Sequence, residues 1–463
     1  MRAAGTAGER RGSVALIAVG CRVNQAEVEG LAASLAAAGW SAAHDPGRAD
    51  VVVVNTCAVT SGADSDGRKL VRRIHRANPR ARIVVTGCQA EREAPALGAL
   101  PGVRLVVGNA AKHRIPDWLE RFPGGRRPES SSLPRSVEVE RPPVHELRDL
   151  VPLPVSLEGS RTSRPLVKIQ DGCDRGCAFC VIPGTRGASR SLGEVEVIEQ
   201  LSRIGDAGFG EAVLTGIDLG SWGEDRPGSG GLPALLDRID RERPVTRLRL
   251  SSLDPRDLSA DLAERVASYR WICPHLHLSL QTGSPDVHRR MGRGRWPEGL
   301  EERVHALASA RPELALGLDL LTAFPGETDA DHRATCDWVR EQPVSYTHVF
   351  PYSPRPGTPA ARWSPPGGES VSAPAAVALS DARARELREL GARLRLAFHQ
   401  RHVGSEQELV VEAPAPDGGS AVRGTTANFI PVEAACSEPR APGALVRVRL
   451  TAAEPRGCRG TIP

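Results

Sequence analysis

At 463 residues the chain is too long for one ordinary hydrophobic core and predicts two to four domains. A formal net charge of +4 is small for that length, so it permits an acidic partner without demanding one. Ten cysteines do not make a disulfide scaffold here, no run of about 18 apolar residues occurs and no apolar h-region follows "MRAAGTAGERRG", so a soluble cytoplasmic protein without membrane contact is expected.

The first three apolar runs share an ending. "SVALIAVGC", "VVVVNTC" and "ARIVVTGC" each reach a cysteine where the run stops, at Cys21, Cys57 and Cys88. Four β-branched residues in a row suit a strand covered on both faces. Between the runs, residues 24–40 and 66–79 carry apolar positions at three- and four-residue spacing, which predicts helices. Strand and helix in alternation predict an open parallel sheet wound right-handed, whose ligands bind beyond the carboxyl ends of the strands. The three cysteines then meet at one sheet edge as ligands; the plainer alternative is three buried, inert thiols. In the second predicted helix Arg68, Lys69, Arg72, Arg73 and Arg76 fall at helical spacing, either a phosphate-binding stripe or a solvated face.

Residues 121–163 turn to Pro, Ser, Gly and mixed charge and read as a linker, parts of which can lie as extended strands over a neighbour. "DGCDRGCAFC" then sets Cys173, Cys177 and Cys180 in a C-x3-C-x2-C pattern. Three thiolates so close, with no fourth Cys or His at zinc-finger spacing, suit a [4Fe–4S] cluster with one iron left open to chelate a small molecule; closed structural zinc wants four protein ligands. From residue 165 to 359 six short apolar runs alternate with helical stretches, predicting a partial (β/α) barrel with its chemistry at the strand carboxyl ends and the cysteine loop after its first strand. A helix opened by a Ser380 cap follows, with Leu387, Leu390, Leu394 and Phe398 on one face. Residues 404–463 read as short strands of a small β-barrel, where six arginines face seven acids, a weak footprint for a phosphate binder. Cys273, Cys336, Cys436 and Cys458 have no partner at ligand spacing and read as structural.

The C-x3-C-x2-C motif resembles that of the radical S-adenosylmethionine enzymes, and the likeness extends beyond it. "KIQDGCDRGCAFCVIPGTRG", "EAVLTGIDLGSWG", "RLRLSSLDP", "HLHLSLQTGSPDVHRRMGRG", "LLTAFPGET" and "FPYSPRPGTPAA" are similar, in that order, to the methylthiotransferase branch. The resemblance implies an α/β architecture: an amino-terminal methylthiotransferase domain over residues 13–120, a linker over 121–163, a six-unit radical barrel with a connector helix over 164–403, and a TRAM-like RNA-binding barrel over 404–463. It also implies two [4Fe–4S] clusters, one on Cys173, Cys177 and Cys180 and a second on Cys21, Cys57 and Cys88. Phe179 is then expected near the adenine of S-adenosylmethionine, and Thr215, Gly216, Ser252 and Gln281 at strand ends that contact this cofactor.

The implied reaction inserts a methylthio group into an unactivated C–H bond, which acid–base catalysis cannot break, so the hard chemistry belongs to cofactors. The first cluster would pass an electron into S-adenosylmethionine to make a 5′-deoxyadenosyl radical, and the second would deliver the sulfur; an external one-electron reductant such as flavodoxin or ferredoxin is implied. No catalytic side chain is named. The implied substrate is an adenosine of the tRNA anticodon loop bearing a threonylcarbamoyl group, with an isopentenyl-bearing adenosine or a ribosomal-protein aspartate as alternatives. "LTGIDLGSWG" and "GCRVNQAE" resemble the threonylcarbamoyl branch, from whose commonest pattern Asp218 and Trp222 depart. A competing reading of another class, an electron-transfer or RNA-binding module without turnover, leaves the six barrel strands without a purpose.

Overall fold

The valine run lies at the centre of a sheet buried on both faces. The computed structural model describes residues 11–121, 138–155, 157, 162–363, 373–414 and 421–462. Two units divide the chain: residues 1–158, 172–174 and 181–188 form the first, and 159–171, 175–180 and 189–463 the second.

The first unit runs β1 (Ser13–Ala18), α1 (Arg22–Ala37), β2 (Ser41–Ala42), β3 (Val51–Thr56), α2 (Ser61–Ala77), β4 (Arg82–Gly87), α3 (Cys88–Gly98), β5 (Val103–Val107), α4 (Ile115–Glu120) and β6 (Glu138–Glu140), with α5 (Ile182–Arg186) joining from further along the chain. Its strands order as β2-β1-β3-β4-β5-β6, every pair parallel. On one face Val52 and Val54 pack with Val71 and Ile74 of α2 and Ala94 and Leu97 of α3; on the other Val51 and Val53 meet Leu31 and Leu35 of α1 and Trp118 of α4. Each buried valine contributes roughly 1.5–3 kcal/mol, which is why an unbroken apolar run, not an alternating one, marks this strand. Helix α2 begins five residues before the expected start because the Thr60 hydroxyl accepts the Ala63 amide at 3.1 Å. Glu138–Glu140, inside the stretch read as linker, is an ordered edge strand paired with β5. Residues 122–137 of that stretch lie outside the described residues.

The second unit opens with β7 (Leu166–Lys168) and the short antiparallel pair β8 (Gln170–Asp171) and β9 (Arg190–Ser191). Then come α6 (Glu194–Asp206), β10 (Glu211–Thr215), α7 (Gly231–Glu242), β11 (Arg247–Leu250), α8 (Ala260–Ser268), β12 (His275–Gln281), α9 (Pro285–Arg290), α10 (Leu300–Ala310), β13 (Ala315–Thr322), α11 (Asp329–Glu341) and β14 (Val344–Pro351). Strands β7-β10-β11 and β12-β13-β14 form two parallel triplets, joined by the bridges Leu248–Ile272 and Leu253–Leu278 into one curved six-strand wall. This is the expected partial (β/α) barrel. Along its strands buried leucines (Leu248, Leu250, Leu276, Leu278, Leu318, Leu320) alternate with polar residues (Arg247, Arg249, His275, His277, Asp319), so the two faces differ in chemistry.

Helix α12 (Ala373–Arg401) packs along β14 and starts seven residues before Ser380, which therefore is not its cap; Leu387, Leu390 and Phe398 are buried as expected and Leu394 half-buried. Strands β15 (Glu406–Pro414), β16 (Ala421–Thr426), β17 (Pro431–Ala435), β18 (Leu445–Glu454) and β19 (Gly457–Thr461) close into a barrel in the order β15-β16-β17-β19-β18. It docks at the amino-terminal ends of the large barrel's strands: Arg249 donates to the Thr426 carbonyl at 3.1 Å, Phe429 lies 4.4 Å from the ring of His275, and the Gly210 amide bonds the Gly443 carbonyl at 3.2 Å. Among the described residues no helix is long and apolar enough to cross a membrane.

Candidate functional site

In the first unit the sheet order places β1 beside β3 and β3 beside β4, so the residues that follow these strands, Cys21, Cys57 and Cys88, share one edge. The order also reverses between β1 and β3, the switch point where open parallel sheets bind ligands. Two glycines let the thiols approach. Gly20, at φ +95°, would put a Cβ 2.8 Å from the Cys57 Sγ, and Gly87, at φ +99°, would put one 2.3 Å from the Thr56 carbonyl. Burial pushes the Cys57 thiol up to about 11, and neighbouring Cys88 and Cys21 add to it. Cys21 is exposed as a residue, yet its thiol is likewise raised, by desolvation from the protein around the sulfur first and by Cys88, against the pull of Arg186. Cys21 and Cys57, whose thiols resist ionisation by themselves, suit a cationic metal centre, which supplies the charge that deprotonates its ligands.

Beside these cysteines lies a buried charge network with no marker in the sequence. Arg186 is fully buried; its Nε donates to Cys88 Sγ at 3.3 Å, its Nη1 to Glu27 at 2.9 Å and its Nη2 to Asn24 at 2.7 Å. Glu27 also accepts from Asn55 at 3.0 Å and from the buried Lys112. The Arg186 guanidinium, donating to Cys88, offsets negative charge on a thiolate there. Arg186 sits in the quoted "PGTRG", but a single sequence does not distinguish a buried arginine from a surface one.

The C-x3-C-x2-C loop is shared between the units, Cys173 with the first and Cys177 and Cys180 with the second. Within the second, the Ala178 amide bonds the Met291 carbonyl at 2.8 Å and the Cys180 amide bonds the Cys177 carbonyl at 3.0 Å, fixing the last turn of the loop. Arg293 reaches toward Cys177 Sγ at 3.8 Å while its other nitrogen donates to Asp254 and to the Ser279 carbonyl, each at 2.7 Å. Burial alone would raise Asp254, but hydrogen bonds from Arg256 and the charges of Arg293, Arg256 and Arg175 outweigh it and hold the carboxyl below its ordinary range. Burial and the adjacent Asp218 push Asp257 up to about 6, although Arg175 opposes them.

The expected cofactor-contacting residues lie on or just after successive strands of one wall. Thr215 closes β10 and is buried; a Cβ on Gly216 would lie 2.9 Å from the Gln170 side chain. Ser252 follows β11 and meets His277 Nδ1 at 2.8 Å. Gln281 ends β12 in the left-handed region, φ +71°, at a break in register with β13. Such backbone costs about 1–3 kcal/mol and concentrates at functional positions. Phe179 is half-buried and edge-on to Phe324 at 6.2 Å, within a cluster containing Ala178, Val287 and Met291. The two departures from the branch pattern have partners: Asp218 accepts from Arg175, and the fully buried Trp222 donates its indole N–H to the Leu192 carbonyl at 2.9 Å. Cys336, read as structural, lies 3.6 Å from His332.

Residues 167–339 match the Radical SAM superfamily, and residues 13–108 match a family described as uncharacterized protein family UPF0004. The barrel with its cysteine loop thus defines a radical S-adenosylmethionine enzyme. The structure is similar to a radical S-adenosylmethionine methyltransferase, TsrM from Kitasatospora setae, with TM-score 0.53 and 18% identity over 76% of this chain and 77% of that one, a likeness of fold. In sequence the chain is 36% identical to the threonylcarbamoyladenosine tRNA methylthiotransferase MtaB of Bacillus subtilis (strain 168) over 81% of each chain. It is 34% identical to a tRNA-2-methylthio-N(6)-dimethylallyladenosine synthase of Cereibacter sphaeroides over 95% of this chain and 96% of that one. The protein belongs to the radical S-adenosylmethionine methylthiotransferase family, and its cofactors are two [4Fe–4S] clusters and S-adenosylmethionine.

Proposed function

We propose that this enzyme installs a methylthio group at C2 of N6-threonylcarbamoyladenosine beside the tRNA anticodon. The likeness to the threonylcarbamoyladenosine methylthiotransferases carries the reading. In it Cys173, Cys177 and Cys180 hold the cluster that binds S-adenosylmethionine, and Cys21, Cys57 and Cys88 hold the second. When bound, these groups supply the 5′-deoxyadenosyl radical and the methylthio sulfur. The chain's residues hold them in place: Thr215, Gly216, Ser252, Gln281 and Phe179 border the cofactor, Arg293 donates toward Cys177, and Arg186 donates to Cys88. Arg72, Arg73 and Arg76 form an exposed basic stripe on α2, suited to tRNA phosphates. The reductant is an external one-electron carrier of flavodoxin or ferredoxin type, and the enzyme works in the cytoplasm, where its tRNA is.

A second reading, methylthiolation of a dimethylallyl-bearing adenosine, is favoured by the synthase likeness, which reaches similar identity over 95% of the chain. Nucleoside mass spectrometry of tRNA from cells with and without the gene separates the two. Loss of 2-methylthio-N6-threonylcarbamoyladenosine in the deletion is expected; its persistence together with loss of the dimethylallyl methylthio product overturns the substrate assignment.

The ligand assignment has its own test. Anaerobically reconstituted protein is expected to hold about eight iron atoms and Cys57→Ala about four. The variant is expected to keep cleaving S-adenosylmethionine and to form no methylthio product. Loss of all iron on this single change, or zinc in its place, defeats the assignment.

A further inference from the structure

Strands β12, β13 and β14 each bring one metal-binding side chain to the same point on the polar face of the barrel wall. His277 lies on β12, Asp319 on β13 and His348 on β14, and Asp319 pairs directly with His348 in the parallel register. His277 Nε2 is 3.5 Å from Asp319 Oδ1, His348 Nδ1 is 3.3 Å from the same oxygen, and the three ligand atoms all lie within 4.8 Å of one another. None of these residues has a part in either cysteine group.

We propose that His277, Asp319 and His348 form a third metal site, which takes a divalent ion of the zinc class with two imidazoles and one carboxylate. The distances fit. Around a tetrahedral ion with bonds of about 2.0–2.1 Å, neighbouring ligand atoms stand about 3.3–3.4 Å apart, close to the two separations found here. The donor set also fits, since imidazole with carboxylate suits borderline transition ions and not calcium or magnesium.

The surroundings hold the ligands in the necessary orientation. Ser252 Oγ meets His277 Nδ1 at 2.8 Å, so the hydrogen bond occupies the far side of the ring and Nε2 faces Asp319. This is the outer partner that metal-bound histidines regularly have. Tyr346, two residues before His348 on the same face, packs its ring against both His277 and His348, at 5.9 and 5.4 Å. Gly317 makes that possible, because a Cβ there would stand 2.2 Å from the Tyr346 ring. His277 is buried, whereas 47% of the His348 side chain is exposed. One side of the site is therefore open, and the fourth position takes water or an oxygen of a bound molecule.

The test uses the holoenzyme, with both iron–sulfur clusters reconstituted so that the cluster cysteines are occupied, dialysed anaerobically against zinc chloride. Elemental analysis is expected to find one zinc per chain, and zinc-edge X-ray absorption a first shell of nitrogen and oxygen at about 2.0–2.1 Å. His348→Ala and the isosteric Asp319→Asn are each expected to weaken zinc binding at least about ten-fold, as loss of one ligand requires, with iron content unchanged. Any one of three results overturns the proposal: no zinc retained, a sulfur shell near about 2.3 Å that places zinc on cysteine, or undiminished binding in both variants.

Discussion

Cys177→Ala is expected to abolish formation of 5′-deoxyadenosine from S-adenosylmethionine, a fall of at least about a thousand-fold and thus more than about 4 kcal/mol in barrier. The loop survives the change, because its Ala178–Met291 and Cys180–Cys177 bonds run through backbone atoms that alanine retains. Only the thiolate is lost, together with the acceptor toward which Arg293 donates. The amino-terminal cluster is expected to keep its spectrum, since Cys21, Cys57 and Cys88 lie in the other unit. The check is anaerobic product analysis beside electron paramagnetic resonance on the same sample. Continued 5′-deoxyadenosine formation defeats the role given to Cys177.

Glu211→Gln is expected to cost about 3–5 kcal/mol, enough to consume much of a typical domain's stability. Glu211 is fully buried on β10 and accepts from Arg247 Nε and Arg249 Nε, each at 2.7 Å. A neutral amide would leave the buried Arg249 without this counter-charge and Arg247 with only the exposed Glu408 carboxylate at 3.6 Å. Burial alone would raise this carboxyl; the charges of Arg249 and Arg247 outweigh it and bring it down to about 2 from an ordinary 4.5. The folded pKa is the lower one, so the linked stability, on the order of 3 kcal/mol, is fully present above about pH 4.5 and is lost as pH falls toward 2. Denaturant midpoints of wild type and variant should therefore differ most near neutrality and converge in acid. A difference below about 1 kcal/mol at pH 7 contradicts the account. Replacing Glu211, Arg247 and Arg249 together by apolar residues is expected to restore much of the loss, since then no buried charge is stranded.

The elements that the sequence made legible are those with local causes. The valine run of β3, the cysteines that end β1, β3 and β4, and the six barrel strands follow from side-chain periodicity and strand-end position, and the structure has them all. Helix starts were less legible: α2 begins at the Thr60 cap and α12 seven residues ahead of Ser380. The edge strand Glu138–Glu140 is only three residues long, two of them acidic, and its pairing with β5 owes little to its own sequence. Buried charge was illegible for a deeper reason. Arg186 reaches Glu27 across 159 positions of chain, and Arg249 reaches the Thr426 carbonyl across 177, so neither contact leaves a local pattern. The left-handed backbone of Gln281 is likewise imposed by its break in register and not by residue preference.

The docking of the small carboxyl-terminal barrel bears on how such enzymes can be rebuilt. Phe429 holds a left-handed backbone at φ +66° and sets its ring against His275, Tyr346 and Arg249, which lie toward the amino-terminal ends of the barrel strands. The last sixty residues are therefore a foundation stone for the larger barrel. A chimera that exchanges this barrel for another must bring its own plug for the floor of the larger one. A shortened enzyme that no longer acts on tRNA would as readily reveal a wall that has lost its base as a missing grip on RNA.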